Sequence, residues 1–228
     1  MSASPKIVEL RQLLAERFGR TSVAQEESCQ TGLPALDEMA LPRGAVVEIV
    51  SGVRAAPSNG LLLYGLLHAL LQRGERVALI DGKDAFAPKG LPQADLDRLL
   101  WIRCRAAGEA IKAADLAVRD GNVAWILLFL TLNSHSELRR IPATAWHRLQ
   151  MLAEKSAVTL LAFTPQAQVG SARLRLSVGA AFPLTSLHRC RSDLLPELRL
   201  RVERRRAGSG NPGLERRDDE DLCRPICA

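Results

Sequence analysis

A buried-strand run followed at once by a glycine-containing loop and a helix constrains this chain more than any other feature. Residues 46–50 are Val-Val-Glu-Ile-Val, the loop after them contains Gly52, and the segment 60–73 is apolar on nearly every side. Further strand-like runs occupy residues 77–81, 100–104, 123–130 and 158–163, each separated from the next by a predicted helix or loop. Strands that alternate with helices favour βαβ units. The sequence therefore predicts an α/β fold with a mostly parallel central sheet flanked by helices.

Two later segments have a different period. Residues 173–178 and 197–202 alternate polar and apolar side chains, which predicts partly exposed strands that we expect to be antiparallel. The other predicted helices cover residues 93–99, 107–119 and 144–156. A length of 228 residues suits one domain with tails. We expect an N-terminal helix and linker at residues 1–30, a core domain at 31–203 and a disordered charged tail at 204–228.

The N-terminal segment predicts an amphipathic helix over residues 5–18. One face of this helix carries Ile7, Leu10, Leu14 and Phe18. Two interpretations stay open: the helix caps its own domain, or it docks on a neighbouring subunit or partner. In the second case, deletion of residues 1–20 is expected to leave a folded core and to weaken one interaction.

Composition excludes several classes of protein. The longest apolar run, residues 123–132, is shorter than the roughly 20 residues that cross a bilayer, so we expect a cytoplasmic chain without a membrane partner. The five cysteines are scattered and odd in number, which indicates reduced thiols. Cys223 and Cys227 have no second pair of ligands near them in sequence, so no metal site is predicted. The formal net charge of +6 leaves room for an acidic partner.

A set of short motifs resembles the core of RecA, in order and at close to its spacing. The resemblance covers roughly residues 30–200 and is specific as a set. The motifs are Thr31-Gly32, Leu36-Asp37, Leu41-Pro42-Arg43-Gly44, Val47-Glu48-Ile49, the segment 74–81 and Ala85-Phe86-Ala87-Pro88.

Within that superfamily the chain looks most like the ImuA group, which is sometimes labelled SulA-like. Members of that group are short, lack the C-terminal domain of RecA and often lose the ATPase motifs. The resemblance implies a role in damage-induced (SOS) mutagenesis and translesion DNA synthesis. It also implies two partners, RecA and an ImuB-type relative of Y-family polymerases, alongside an error-prone replicative-type polymerase.

The phosphate-binding loop that such a frame requires is degenerate. The expected pattern G-x-x-x-x-G-K-[ST] holds the phosphates and Mg²⁺ through its lysine and hydroxyl. Here Ser58 and Asn59 stand at those two places, Pro57 removes a backbone N–H, and the only cation is Arg54, early in the loop. The positions concerned are Gly52, Arg54, Ser58, Asn59 and Gly60.

Both acidic positions of the frame are also lost. The strand 123–128 should be followed by an aspartate and is followed by Phe129, while Lys83 stands where a glutamate should polarise water. Asp84 is adjacent to Lys83 and is expected to face elsewhere. Glu48 and Asp37 remain, and we expect them to cap or to pair with Arg43-type neighbours on the rim. The sequence thus predicts no catalytic, cofactor-binding or metal-binding residue.

Binding is the remaining chemistry, and arginines are its candidates. The resemblance implies two DNA-binding loops, here near residues 133–142 and 166–175, in which we expect flexible backbone. Arg139, Arg140, Arg173 and Arg175 lie in them, although ordinary solvated arginines are an alternative interpretation. A further run is Arg199, Arg201, Arg204, Arg205 and Arg206, for which partner docking, nucleic-acid contact and a solubilising role all stay open.

Three classes of function therefore remain. The first is a non-catalytic adaptor to RecA and the mutagenic polymerase machinery, the second a recombination or repair accessory that binds single-stranded DNA, and the third a residual ATPase. For the adaptor, replacing Arg204, Arg205 and Arg206 by alanine is expected to weaken partner binding and to leave the thermal midpoint nearly unchanged.

Overall fold

Nine strands alternate with helices along the described part of the chain, which comprises residues 28–52, 56–179 and 182–206 of a computed structural model. In chain order the strands are β1 (Ser28–Cys29), β2 (Leu41–Pro42), β3 (Val46–Val50), β4 (Val77–Asp81), β5 (Leu99–Arg103), β6 (Trp125–Phe129), β7 (Thr159–Thr164), β8 (Leu174–Val178) and β9 (Leu200–Arg205).

Seven helices connect these strands. They are α1 (Pro34–Asp37), α2 (Ala56–Gln72), α3 (Gln93–Leu96), α4 (Ala107–Asp120), α5 (His135–Arg139), α6 (Ala143–Ser156) and α7 (Arg191–Leu194), with 3-10 turns at Leu184–His188 and Leu195–Glu197. Gly121 ends α4 in a left-handed conformation, φ 68°, as the Asp-Gly-Asn sequence predicts. None of the described helices has the length and apolar character that a membrane span needs.

The main sheet has seven strands in the order β5-β4-β6-β7-β3-β8-β9. Every neighbouring pair is parallel except β8 and β9. One face packs against α2 through a leucine-rich cluster, and the other packs against α4 and α6 through alanines and Trp146. The predicted α/β fold class is confirmed: the chain has a mostly parallel sheet, flanking helices and a late antiparallel strand.

The two late strands match the sequence-based prediction in part. Strand β9 is antiparallel to β8, as predicted, whereas the direction of β8 and the position of β9 differ from the prediction. Strand β8 is parallel to β3, because residues 165–173 return the chain to the edge where β3 begins and place Leu174 beside Val47. Strand β9 begins three residues later than predicted, since Leu195–Glu197 forms a turn that buries Leu198. It also extends to Arg205, past the predicted end of the core at residue 203.

A β-bulge in β9 sets the direction of its side chains. Val202 pairs with Leu176 and Arg204 pairs with Arg175, so Glu203 is an extra residue between them. An extra residue reverses the alternation of the strand beyond it. Arg201 and Arg204 therefore share one face of the sheet.

Candidate functional site

The carboxyl ends of β3, β6 and β7 meet at one edge of the sheet, where the degenerate phosphate-binding loop was predicted from the sequence. Val50 pairs with Thr164 at the end of β7, and the N–H of Ser51 donates to the Thr164 carbonyl at 3.3 Å. The chain then passes through Gly52, whose φ is +64°, and enters α2. Parallel sheets bind ligands at this edge. Arg54 lies outside the described residues.

Asn59 closes this edge with its own side chain. It is fully buried in the first turns of α2, and its Nδ2 donates to Thr131 Oγ1 at 3.0 Å and to the Thr164 carbonyl at 3.5 Å. These two bonds join α2 to the segment that follows β6 and to the last residue of β7. The neighbouring Ser58 is also buried, at 1% exposure. Neutral, inward-facing side chains thus stand where a lysine and a hydroxyl would have to reach phosphate and metal.

At the end of β6, a hydrophobic side chain packs in the core where an aspartate would be needed to hold a metal ion. Phe129 is buried, with its ring centroid 6.1 Å from that of Phe163, and Leu130 after it is fully buried. The next polar side chain is Thr131, whose hydroxyl accepts from Asn59. A metal ion at this position would meet aromatic and aliphatic carbon, which are not ligands for Mg²⁺.

The segment after β4 is occupied by structural contacts. The Asp81 carboxylate accepts from the backbone N–H groups of Lys83 and Phe86, at 3.3 and 2.7 Å, and shapes the turn. Lys83 Nζ lies 3.3 Å from Glu137 Oε1, so the residue at the expected glutamate position is a paired cation. Gly82 is enclosed, since a Cβ there would lie 2.4 Å from Asn133 Oδ1 and 2.7 Å from Leu130 Cδ2.

Asp84 faces elsewhere, as predicted. Both of its oxygens accept from Arg103, at 2.6 and 2.7 Å, in a bidentate pair at the outer strand β5. The hydrogen bond from Arg103 lowers the pKa of Asp84 below its ordinary value. A carboxylate with a lowered pKa is a weak base, so Asp84 is poorly suited to polarise water.

The prediction for Asp37 and Glu48 is half right. Asp37 caps the preceding loop, with Oδ1 accepting from the Thr31 N–H at 2.6 Å and Oδ2 from the Gly32 N–H at 3.1 Å. Glu48, however, lies in the interior rather than on the rim. Its partner is Arg175, whose Nε donates to Oε2 at 2.6 Å, and the two residues are neighbours in the register of β3 and β8.

The first of the two predicted DNA-binding loops is a structured turn of helix. Ser134 and Glu137 form a capping box that begins α5, in a segment expected to be a flexible loop. Arg139 and Arg140 end this helix and are exposed, and no carboxylate lies within 4 Å of either among the described residues. The flexible-loop expectation is wrong here, whereas DNA contact by these two arginines stays a prediction.

The second predicted loop is fixed to the sheet. Glu48 Oε1 accepts from the N–H groups of Gln168 and Val169, at 2.6 and 2.9 Å, and Arg175 Nη2 donates to the Val169 carbonyl at 3.2 Å. Arg173 pairs with Glu154 at 2.6 Å. These bonds anchor the loop over buried Val169 and Ala172, and both Arg173 and Arg175 have structural partners.

The C-terminal arginine run divides into anchored and exposed members. Arg204 donates to the carbonyls of Val169 and Ala172, at 3.0 and 3.4 Å, and its pKa is lowered by burial and by the charges of Arg175 and Arg206. Arg205 donates to the Met39 and Ala40 carbonyls on the opposite side. Arg205 is nonetheless exposed, as are Arg199, Arg201 and Arg206.

The structure does not bring all predicted binding residues together. Arg139 and Arg140 follow β6, which is four strands from β9 in the sheet. Because strands lie about 4.8 Å apart, β6 and β9 are roughly 19 Å apart across the sheet. Sequence reasoning also missed the Glu48–Arg175 pair, for which the only signal was an isolated acid within an apolar strand. The predicted docking residues Ile7, Leu10, Leu14 and Phe18 lie outside the described residues.

Among the solved structures that resemble this chain is a recombinase. The crystal structure of the RadB recombinase superposes with a TM-score of 0.49 and 16% sequence identity, over 65% of this chain and 82% of that one. No protein-family model matches the sequence. A search of curated proteins also gives no match.

Proposed function

We propose that this chain is a non-catalytic accessory protein of damage-induced (SOS) translesion mutagenesis, of the ImuA or SulA-like branch of RecA-like proteins. It acts in the cytoplasm as an adaptor that binds RecA and an ImuB-type relative of Y-family polymerases. The observation that carries this proposal is the position of Asn59, whose amide joins Thr131 and Thr164 where a phosphate loop would hold its ligand.

The three degenerate positions support a binding role over a residual ATPase because each is integrated into the fold. Asn59 is bonded to the ends of two strands, Phe129 packs on Phe163, and Lys83 pairs with Glu137. Restoring ATP chemistry would require breaking all three contacts. A fold that is intact but has a degenerate nucleotide site is suited to binding partners through its surface. The basic charge of its exposed arginines favours acidic partners.

The experiment is capture of RecA, and separately of the ImuB-type relative, by the immobilised full-length chain. We expect the immobilised chain to retain the same amount of RecA whether or not it is incubated with Mg-ATP before RecA is applied. Arg201→Glu with Arg206→Glu should weaken capture, whereas Arg105→Glu with Lys112→Glu should not. The second pair makes an equal charge change at two exposed residues that follow β5, the strand at the opposite edge of the sheet from β9. If neither partner is retained by the parent chain, the adaptor role is wrong.

A nucleic-acid-binding repair accessory is the second candidate function. Exposed Arg139 and Arg140, at the sheet edge where the strands end, favour it. Phosphate contacts would make affinity for single-stranded oligothymidylate fall steeply with salt. Arg139→Ala with Arg140→Ala should reduce both the affinity and the salt slope. If affinity falls only slightly with salt, and the two substitutions do not change that dependence, these residues do not bind DNA.

A further inference from the structure

Strand β9 is the last strand of the main sheet and has one open edge. Among the described residues it pairs with β8 alone, so the backbone groups on its outer side have no strand partner. Val202 is 47% exposed at this edge. Open edges are sites at which a sheet accepts another extended chain.

The charge along this edge is strongly unbalanced. Between Arg199 and Arg206 there are five arginines and one acid, Glu203. No carboxylate lies within 4 Å of any of these five arginines in the described part of the chain. The buried acid Glu48 pairs with Arg175 instead. Arg204 donates to carbonyls through Nη2, and its buried Nε has no partner. Among the described residues, the arginines of this edge therefore have no carboxylate within ion-pair distance.

The arrangement of these arginines fits an extended ligand. Arg201 and Arg204 share one face of the sheet because of the bulge, and Arg206 lies near Arg204 and bonds through its N–H to the Arg173 carbonyl. At about 3.3 Å per residue the three span roughly 16 Å. An adjacent strand places every second side chain on that same face, so alternating carboxylates would meet these arginines in turn.

Two other occupants fit the edge less well. A second copy of the chain would pair β9 with β9 and set arginines opposite arginines, which is destabilising. Single-stranded nucleic acid would gain from aromatic side chains on which bases stack, and β9 contains none. An unpaired backbone edge is satisfied by another peptide backbone.

We propose that the open edge of β9 binds an extended acidic segment of a partner protein, which adds a strand to the sheet and places its carboxylates against Arg201, Arg204 and Arg206. This inference rests on the proposed function insofar as the partner is a protein. It specifies the mode of docking and the chemistry of the segment that docks.

The test uses the full-length chain and a synthetic peptide of about eight residues that alternates aspartate with valine. A control peptide replaces each valine by proline, which keeps the charge, removes every second backbone N–H and disfavours a paired strand. We expect the aspartate–valine peptide to bind and to slow amide hydrogen exchange within residues 200–205. The proline peptide should do neither.

Matched variants separate this edge from general basicity. Arg201→Glu with Arg206→Glu should weaken peptide binding by roughly tenfold or more, because charge-assisted contacts become like-charge contacts. Arg139→Glu with Arg140→Glu changes net charge equally at a distant exposed site and should leave binding unchanged.

Several results would overturn the inference. Equal binding of the two peptides, or binding without slowed exchange in residues 200–205, would show a polyanion effect. Displacement of the peptide by oligothymidylate at lower concentration would favour nucleic acid, and concentration-dependent dimers with slowed exchange at β9 would favour a second copy. If the peptide fails while RecA capture succeeds, only this inference falls, whereas the reverse result would remove the adaptor role.

Discussion

The guanidinium of Arg175 and the carboxylate of Glu48 form an ion pair inside the sheet, between residues 127 positions apart in the chain. Nε and Oε2 lie 2.6 Å apart, with side-chain exposures of 15% and 0%. The other carboxylate oxygen accepts from Thr164 and from two backbone N–H groups of the loop before β8. One buried acid thus fixes the second loop that the resemblance assigns to DNA.

Glu48→Ala should destabilise the fold by about 3–5 kcal/mol, because it leaves Arg175 buried without a counter-charge. Hydrogen exchange should also increase in residues 166–173. Glu154→Ala is the matched control: its pair with Arg173 is more exposed, and we expect a loss below about 1 kcal/mol. Chemical denaturation measures both, and equal losses would contradict a special role for Glu48.

The parent chain should neither bind nor hydrolyse Mg-ATP. The physical reason is the absence of a cation at Ser58 and of carboxylates at Phe129 and Lys83. Ser58→Lys with Asn59→Thr should still give no turnover, since neither acid returns. Calorimetric titration and phosphate release test this prediction, and a micromolar Kd for the parent chain would refute it.

Gly82→Ala should cost about 1–3 kcal/mol, because the new methyl group would have to displace Asn133 and Leu130. Gly108→Ala, in the first turn of α4, is the control. Its Cβ would meet nothing within 4 Å, so we expect a neutral or slightly stabilising effect. Thermal unfolding of the two variants should move in different directions. A neutral Gly82→Ala would mean that the closed site relaxes readily.

The structure revises the expectation that the triple replacement of Arg204, Arg205 and Arg206 leaves the thermal midpoint unchanged. Arg204→Ala alone should destabilise by about 1–3 kcal/mol, since it removes the donor to two carbonyls of a buried loop. Arg206→Ala should change stability by less than about 0.5 kcal/mol because its side chain is exposed. Partner-binding assays should therefore use Arg201 and Arg206 variants. A destabilising Arg206→Ala would contradict this division.

Asp84 should titrate below the ordinary aspartate pKa of about 3.9. Hydrogen bonds from Arg103 favour the ionised form, so the folded-state pKa lies below the unfolded one. The stabilisation from this pair is then fully present at neutral pH and is lost as pH falls through the lowered pKa. Carbon-detected NMR titration gives the value, and Arg103→Gln should return it to the ordinary range. No change on that substitution would exclude Arg103 as the cause.

The local pattern of apolar residues was sufficient to predict the layers of the fold. Apolar runs such as Val77–Asp81 form the interior strands within a residue or two of prediction, because burial on both faces demands continuous apolar sequence. The loss of ATP chemistry was equally visible, since it depends on residue types at Ser58, Phe129 and Lys83. For Asp37 the sequence predicted a structural role, either as a cap or in a pair with a neighbouring arginine. The structure shows the cap, in which Asp37 accepts from Thr31, six positions earlier in the chain.

Tertiary structure decided which arginines are available. Side-chain type could not separate Arg175, paired with an acid 127 residues away, from Arg201, which has no such partner among the described residues. The register of β8 against β3 places Arg175 beside Glu48, and the bulge in β9 sets the direction of the later arginines. Neither feature produces a periodic signal in the sequence. The chain's alternation of strand and helix follows from local burial, whereas the identity of its free cations follows from contacts between distant segments that only the folded sheet brings together.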